Sequence, residues 1–284
     1  MTEHVMAAID GSTSSEGVCD YAAWTSQALE APLTFLHVVD NHPQTAEADL
    51  SGNIGLGARE HLLEELSELD EQRAKVAQEQ GRLILQAARD RAIEGGVAEP
   101  VTRQRNGTLV ETLEELADET RLLVMGKRGA NAHQDSEHLG SNLERVVRGL
   151  HRPILMVPGA FKQPARVLIA FDGSKTTRKG VEMLAKSPLF EGIPVHVVMI
   201  GADTGDHRSQ LDWALSTLRE AGHEAEGAIR AGEVEATLHA YQEEHAIDLM
   251  VMGAYGHSRI RQLLVGSTTT EMLRKADIPV LLLR

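Results

Sequence analysis

Cysteine is almost absent from this chain, with one residue, Cys19, in 284. A single thiol excludes an intrachain disulfide and a thiolate-rich zinc cluster, and Cys19 reads as a small buried residue on the first helix. Aromatics are scarce as well, at 3%, so the core must be built from Val, Leu, Ile, Ala and Met. No apolar run reaches membrane-spanning length. The opening "MTEHVMAAID" has neither a basic start nor a long apolar segment, so a cytoplasmic protein without membrane association is expected. Positive charge is in deficit, 28 Lys and Arg against 42 Asp and Glu, for a net charge of −14. That surface repels phosphate backbones at long range, which argues against a general nucleic-acid binder. A small anion held in a local pocket remains compatible with it. Neither GxxxxGK[ST] nor HExxH occurs, and no catalytic residue or metal ligand is assigned.

What is present is written twice. "VMAAIDGSTSSEGV" near the start returns as "VLIAFDGSKTTRKGV" from Val167, and "LLVMGKRGA" from Leu122 returns as "LMVMGAYGH" from Leu249. "RPILMVP" from Arg152 returns as "IPVLLLR" from Ile278. Three matched segments in one order mean two homologous halves. Each half alternates short apolar runs with helical stretches, which implies βαβ crossovers. The expected fold class is α/β, with two similar doubly wound domains, each a five-stranded parallel sheet flanked by helices. The boundary falls in "VPGAFKQPAR", giving domains over 1–158 and 166–284 with a linker over 159–165.

Half one carries an insertion near 41–80. It begins as a Gly- and Ala-rich loop, then becomes Glu/Gln/Lys-rich, with Leu62, Leu66, Leu69 and Val76 at helical spacing. A long helix from about Ala58 to Glu94 is expected, stopped by Gly95 and Gly96. Either a lid or interaction arm, or a solvated extension on its own domain, fits that pattern.

In a doubly wound sheet, ligands sit at the carboxyl ends of the strands where the connection order reverses. Two loops of half two qualify. One follows "VLIAF" with Asp172, Gly173 and Ser174; the other follows "LMVM" with Gly253 and Gly256, leading to Gly266, Ser267 and Thr268. Gly253 and Gly256 allow close approach of backbone to a ligand. Gly266, Ser267 and Thr268 open the last helix, where free N–H groups and hydroxyls suit a phosphate. His257 and Arg259, with Arg261, can meet outer phosphates, and Asp172 can accept from ribose hydroxyls or a base amine. The plainer alternative is that the glycines serve tight turns and Ser267 caps a helix.

The pattern Gly-x2-Gly-x9-Gly-Ser between a strand and the final helix, with an opening strand ending in Asp-Gly-Ser, resembles the universal stress protein family. The likeness covers nearly the whole chain as a tandem, the insertion excepted. It implies an adenine nucleotide, ATP or else ADP or AMP, with or without Mg²⁺, across the carboxyl edge of the sheet. It also implies that Asp172 and a backbone position at Met199 hold the nucleoside. Half one has ten residues, not nine, between Gly129 and Gly140, with acidic side chains in the gap. Asp10, Gly126, Gly129, Gly140 and Ser141 are therefore candidates for a second site, with Lys127 and Arg128 able to face phosphate. The expected role is nucleotide binding mainly in the C-terminal half, as a ligand for conformation or assembly. The rivals are a slow Mg²⁺-dependent ATPase and a ligand-free scaffold that recruits an unknown protein partner. The two final strands could join the halves edge to edge, and a further homodimer is compatible with the family.

Overall fold

The computed structural model describes residues 3–39, 56–129, 140–254 and 267–284, with the side chains of all but 56–64, 141, 267 and 268. The first half runs β1 (His4–Ala8), α1 (Ser15–Ala28), β2 (Leu33–Val39), α2 (Leu56–Glu94) and β3 (Val101–Asn106). It continues with α3 (Leu109–Glu115), β4 (Thr120–Gly126), α4 (Ser141–Gly149) and β5 (Ile154–Val157). The second half repeats the order with β6 (Val167–Ala170), α5 (Lys175–Lys186), β7 (Val195–Ile200), α6 (Gly205–Glu220) and β8 (Ala225–Arg230). Then come α7 (Val234–Glu244), β9 (Leu249–Gly253), α8 (Ser267–Lys275) and β10 (Val280–Leu283).

Local chemistry sets several of the helix starts. Ser174 accepts from the Thr177 amide at the start of α5, and Thr204 accepts from the His207 amide at the start of α6. At α3, Thr108 takes the Glu111 amide while its hydroxyl donates to the Glu111 carboxylate, a variant of the capping box.

The ten strands form one sheet, in the order β3-β2-β1-β4-β5-β10-β9-β6-β7-β8. Pairing is parallel within each half. The halves meet through β5 and β10, which run antiparallel with Leu155 opposite Leu281. The edges of β5 and β10, which would be unpaired in isolated halves, thereby satisfy each other, and β3 and β8 form the outer edges of the sheet. Alternation along these two strands sends Leu155, Val157, Leu281 and Leu283 to one face, and Ile154, Met156, Val280 and Leu282 to the other. The first face is covered by α1, α2, α5 and α6, the second by α3, α4, α7 and α8, so each apolar core crosses from one half to the other.

The antiparallel junction also explains why a short linker suffices. The end of β5 lies beside the start of β10, and β6 begins only two strands further on. The linker is held in place by the first half. Its Lys162 carbonyl accepts from Tyr21 Oη at 3.1 Å, and Phe161 sits edge-on to Tyr21 with centroids 4.7 Å apart. From the second half, the buried Asp248 carboxylate accepts from the Ala165 amide at 3.0 Å and pairs with Lys162.

The long helix of the insertion forms as expected and ends at Glu94, with Gly96 at φ +92 in the left-handed conformation that closes such helices. Its last turns pack on the sheet through Leu85, Ala88 and Ala92. Arg91 makes two hydrogen bonds to Asp20 of α1, at 2.6 and 2.8 Å.

Candidate functional site

The site is set by topology. β6 lies between β7 and β9, so the strand order reverses beside it, and the carboxyl ends of β6 and β9 mark the switch point at which sheets of this kind hold ligands. β1, between β2 and β4, repeats this in the first half.

Asp172 follows β6 at that edge. Its Oδ1 accepts from the Ser174 amide at 3.0 Å and from Thr177 Oγ1 at 2.7 Å, which fixes the carboxylate in a tight turn. Gly173 makes the turn at φ +72, where a Cβ would also fall 1.6 Å from Gln210 Oε1. Its carbonyl accepts from Arg178 Nε at 3.0 Å, and that guanidinium lies over the Trp213 ring at 4.7 Å. Met199 occupies the carboxyl end of β7 with its side chain in the core, so its backbone is the part placed at the edge. Gly253 ends β9. Just beyond it the Ala254 carbonyl accepts from Thr269 Oγ1 at 3.2 Å, which draws the first turn of α8 to the strand end. Ser267 and Thr268 are the first two residues of that helix. Asp172, Met199, Gly253 and the start of α8 thus stand on one sheet edge, whereas Gly256, His257, Arg259 and Gly266 lie outside the described residues.

The first half assembles its counterpart. Asp10 Oδ1 accepts from the Ser12 amide at 3.0 Å and from Ser15 Oγ at 3.4 Å. A Cβ on Gly129 would sit 2.9 Å from Asp10 Oδ2, and one on Gly126 would sit 3.1 Å from Ser14 Cβ. The Gly140 amide donates to the Lys127 carbonyl at 3.3 Å, which brings Ser141 and the start of α4 to the same place. Asp10, Gly126, Gly129 and Gly140 therefore converge, and the missing side chains are what let the two loops approach so closely.

Lys127 departs from expectation. Its Nζ donates to the Ala276 carbonyl at the end of α8, at 2.9 Å, so it serves the junction between halves rather than a phosphate. The cause is the antiparallel sheet joint, which lays the carboxyl edge of one half against the amino edge of the other. Burial, with Arg128 nearby, lowers the Lys127 pKa, and Asp277 opposes that shift. A cleft of about 690 Å³ follows this seam, with Lys127, Arg128, Lys162, Asp248 and Asp277 in its walls.

Sequence reasoning missed the hydroxyls that orient the two aspartates. The signal was in the repeat itself: "DGSTSS" and "DGSKTT" both place a hydroxyl five residues after the Asp, at Ser15 and Thr177. Among the described residues no cluster of His, Cys, Asp and Glu has the arrangement of a metal site. Among them, too, no helix is long and apolar enough to cross a membrane.

Comparison with known proteins agrees with this architecture. The sequence profile of the universal stress protein family matches residues 1–158 and again 165–284. A universal stress protein of Synechocystis sp. is 37% identical over 286 aligned positions, covering 99% of this chain and 100% of its own length. One from Mycolicibacterium smegmatis is 24% identical, over 99% of this chain and 96% of its own. The crystal structure of a universal stress protein from Archaeoglobus fulgidus has a similar fold, with a TM-score of 0.72 at 20% identity, over 98% of this chain and 97% of that one.

Proposed function

Because the chain belongs to the universal stress protein family, we propose that it binds an adenine nucleotide, ATP in the first instance, mainly at the carboxyl edge of its C-terminal half. The observation that carries this reading is the meeting of the Asp172 turn, the end of β9 and the start of α8 at one switch point. Asp172 accepts from ribose hydroxyls and the Met199 backbone meets the base. Gly253 and Gly256 let the chain pass close to the sugar. The amides and hydroxyls of Gly266, Ser267 and Thr268 take the phosphates at the positive end of α8, with His257 and Arg259 toward the outer phosphates.

On this reading the nucleotide acts as a ligand rather than a fuel. It can shift conformation or assembly only by its differential affinity for two states. In the first half, Asp10, Gly126, Gly129, Gly140 and Ser141 form a second site of lower affinity, since acidic side chains share its loop.

Titration calorimetry with ATP and Mg²⁺ on the intact chain and on Gly266→Glu tests this. One nucleotide per chain, lost in the variant while the circular dichroism spectrum is unchanged, is the expected result. Two nucleotides falling to one would mean that both halves bind comparably. An intact chain that takes up no nucleotide would refute the reading in favour of a ligand-free scaffold.

A further inference from the structure

The part of the molecule that no nucleotide reading uses is the outer portion of α2. At about 1.5 Å per residue, this 39-residue helix is about 58 Å long. Only its last turns rest on the sheet. A Cβ on Gly81 would lie 2.6 Å from the His37 ring, which marks where close packing begins. From Glu65 to Gln80 every residue but Ala77 is exposed. A helix projecting into water without a covered face draws little stability from its own hydrogen bonds.

Its exposed apolar residues are not scattered. Leu66 (41% exposed), Leu69 (48%), Val76 (67%) and Leu83 (54%) lie along one stripe, the last three seven residues apart, with Leu62 continuing the interval in sequence. Spacing of this kind is the seam of a coiled coil. Leu83 lies on roughly the opposite side of the helix from Leu85, which is buried in the domain core. The stripe therefore faces away from the parent domain even where the helix is docked.

Charge along the helix is divided. Residues 65–71 carry Glu65, Glu68, Asp70 and Glu71 with no basic residue, whereas 73–82 carry Arg73, Lys75 and Arg82 against Glu79. Two copies aligned in parallel would set acidic segment against acidic segment. Antiparallel alignment about a point between Gln72 and Arg73 relieves this: it sets Lys75 of each copy opposite Asp70 of the other, with Arg73 one position from Glu71, and brings Leu69 of each copy against Val76 of the other. The same register places Leu83 against the Leu62 position.

We infer that the outer part of α2 is a dimerisation arm whose occupant is the antiparallel α2 of a second copy of this chain. Arg73 and Gln80 interrupt the stripe at alternate seam positions; polar residues there fix register and weaken association. The dimer is accordingly reversible.

Sedimentation velocity over a concentration series tests the inference on the full chain. The native protein is expected to form dimers, and Leu69→Glu/Val76→Glu to weaken dimerisation by about 100-fold or more, because two central contacts are lost and charges enter the seam. Both positions are exposed, so the thermal midpoint of the isolated chain should not fall; Leu69→Ser/Val76→Ser provides an uncharged check. For orientation, Gln72→Cys lies next to the axis and should give a disulfide-linked dimer under mild oxidation. Gln80→Cys should not, because its two copies would be about 22 Å apart along the helices. A native protein that stays monomeric, a dimer indifferent to both double variants, or a linked dimer from Gln80→Cys would each overturn the proposal.

Discussion

Leu155 and Leu281 face each other at the centre of the antiparallel joint, each 1% exposed, in a core that draws residues from both halves. If the sheet is one continuous body, removing either side chain weakens the whole molecule rather than one half. A buried Leu→Ala change costs about 2–5 kcal/mol, with about 3 as a central value. Unfolding entropy near 2.1 cal/mol/K per residue gives roughly 0.6 kcal/mol/K for a chain of 284 residues, so a loss of that size lowers the melting temperature by about 5 °C. Differential scanning calorimetry should show a single endotherm for the native chain and for Leu155→Ala and Leu281→Ala, displaced to a similar extent in both variants. The double variant should depart from the sum of the two by about 0.5–3 kcal/mol, because the leucines share one void. Two separate endotherms, with Leu155→Ala moving one and Leu281→Ala only the other, would refute the reasoning.

Three further outcomes are expected. His196 is 7% exposed, and burial lowers its pKa, with His245 and Arg166 in the same direction and Glu226 and Glu224 opposed. Below pH 6.5 the unfolded chain therefore binds a proton that the folded chain resists, so stability should fall from pH 7 toward pH 5. Denaturant midpoints for native and His196→Gln should show a shallower fall in the variant, and parallel curves would count against this. Cys19 is buried, and desolvation, with Asp20 adding to it, pushes its thiol up to about 12; a disulfide reagent at pH 8 should modify it only at the rate of unfolding, so fast labelling of the native chain would contradict the placement. Gly173→Ala adds a methyl group at φ +72 and against Gln210, which should lower stability by about 1–3 kcal/mol by overpacking and backbone strain. Adding Gln210→Ala should restore only part of it in denaturant titration, and full recovery would show that φ is not limiting.

The repeat made much of the fold legible, because one half confirms the other. β3 coincides with the β-branched run "VTRQRN", and α5 begins one residue before the helical stretch that the sequence places at about Thr176 to Lys186. α6 starts at Gly205, five residues before the apolar periodicity begins at about Gln210. Thr204 caps it, and its first turn is polar, so hydrophobic spacing could not reveal that turn. The joining of the final strands is readable as two matching apolar runs, but its antiparallel sense is not, which is why Lys127 reads from sequence as able to face phosphate although it bonds across the joint. At the candidate site, the Asp-Gly-Ser turns were visible as motifs. The hydroxyls of Ser15 and Thr177 were not, since hydroxyl side chains are common near helix starts and only their repeated offset distinguishes them.

The linker from Pro158 to Arg166, pinned by Tyr21 and Asp248, has a consequence for how such a protein behaves when scarce. Two separate subunits joined by one strand pair would part on dilution. A short tether instead gives each half an effective concentration of its neighbour in the millimolar range, whatever the amount of protein in solution. The pairing of β5 with β10 thus becomes insensitive to abundance. Each half is also guaranteed a partner of fixed, non-identical sequence, so one crevice can change without a matching change in the other.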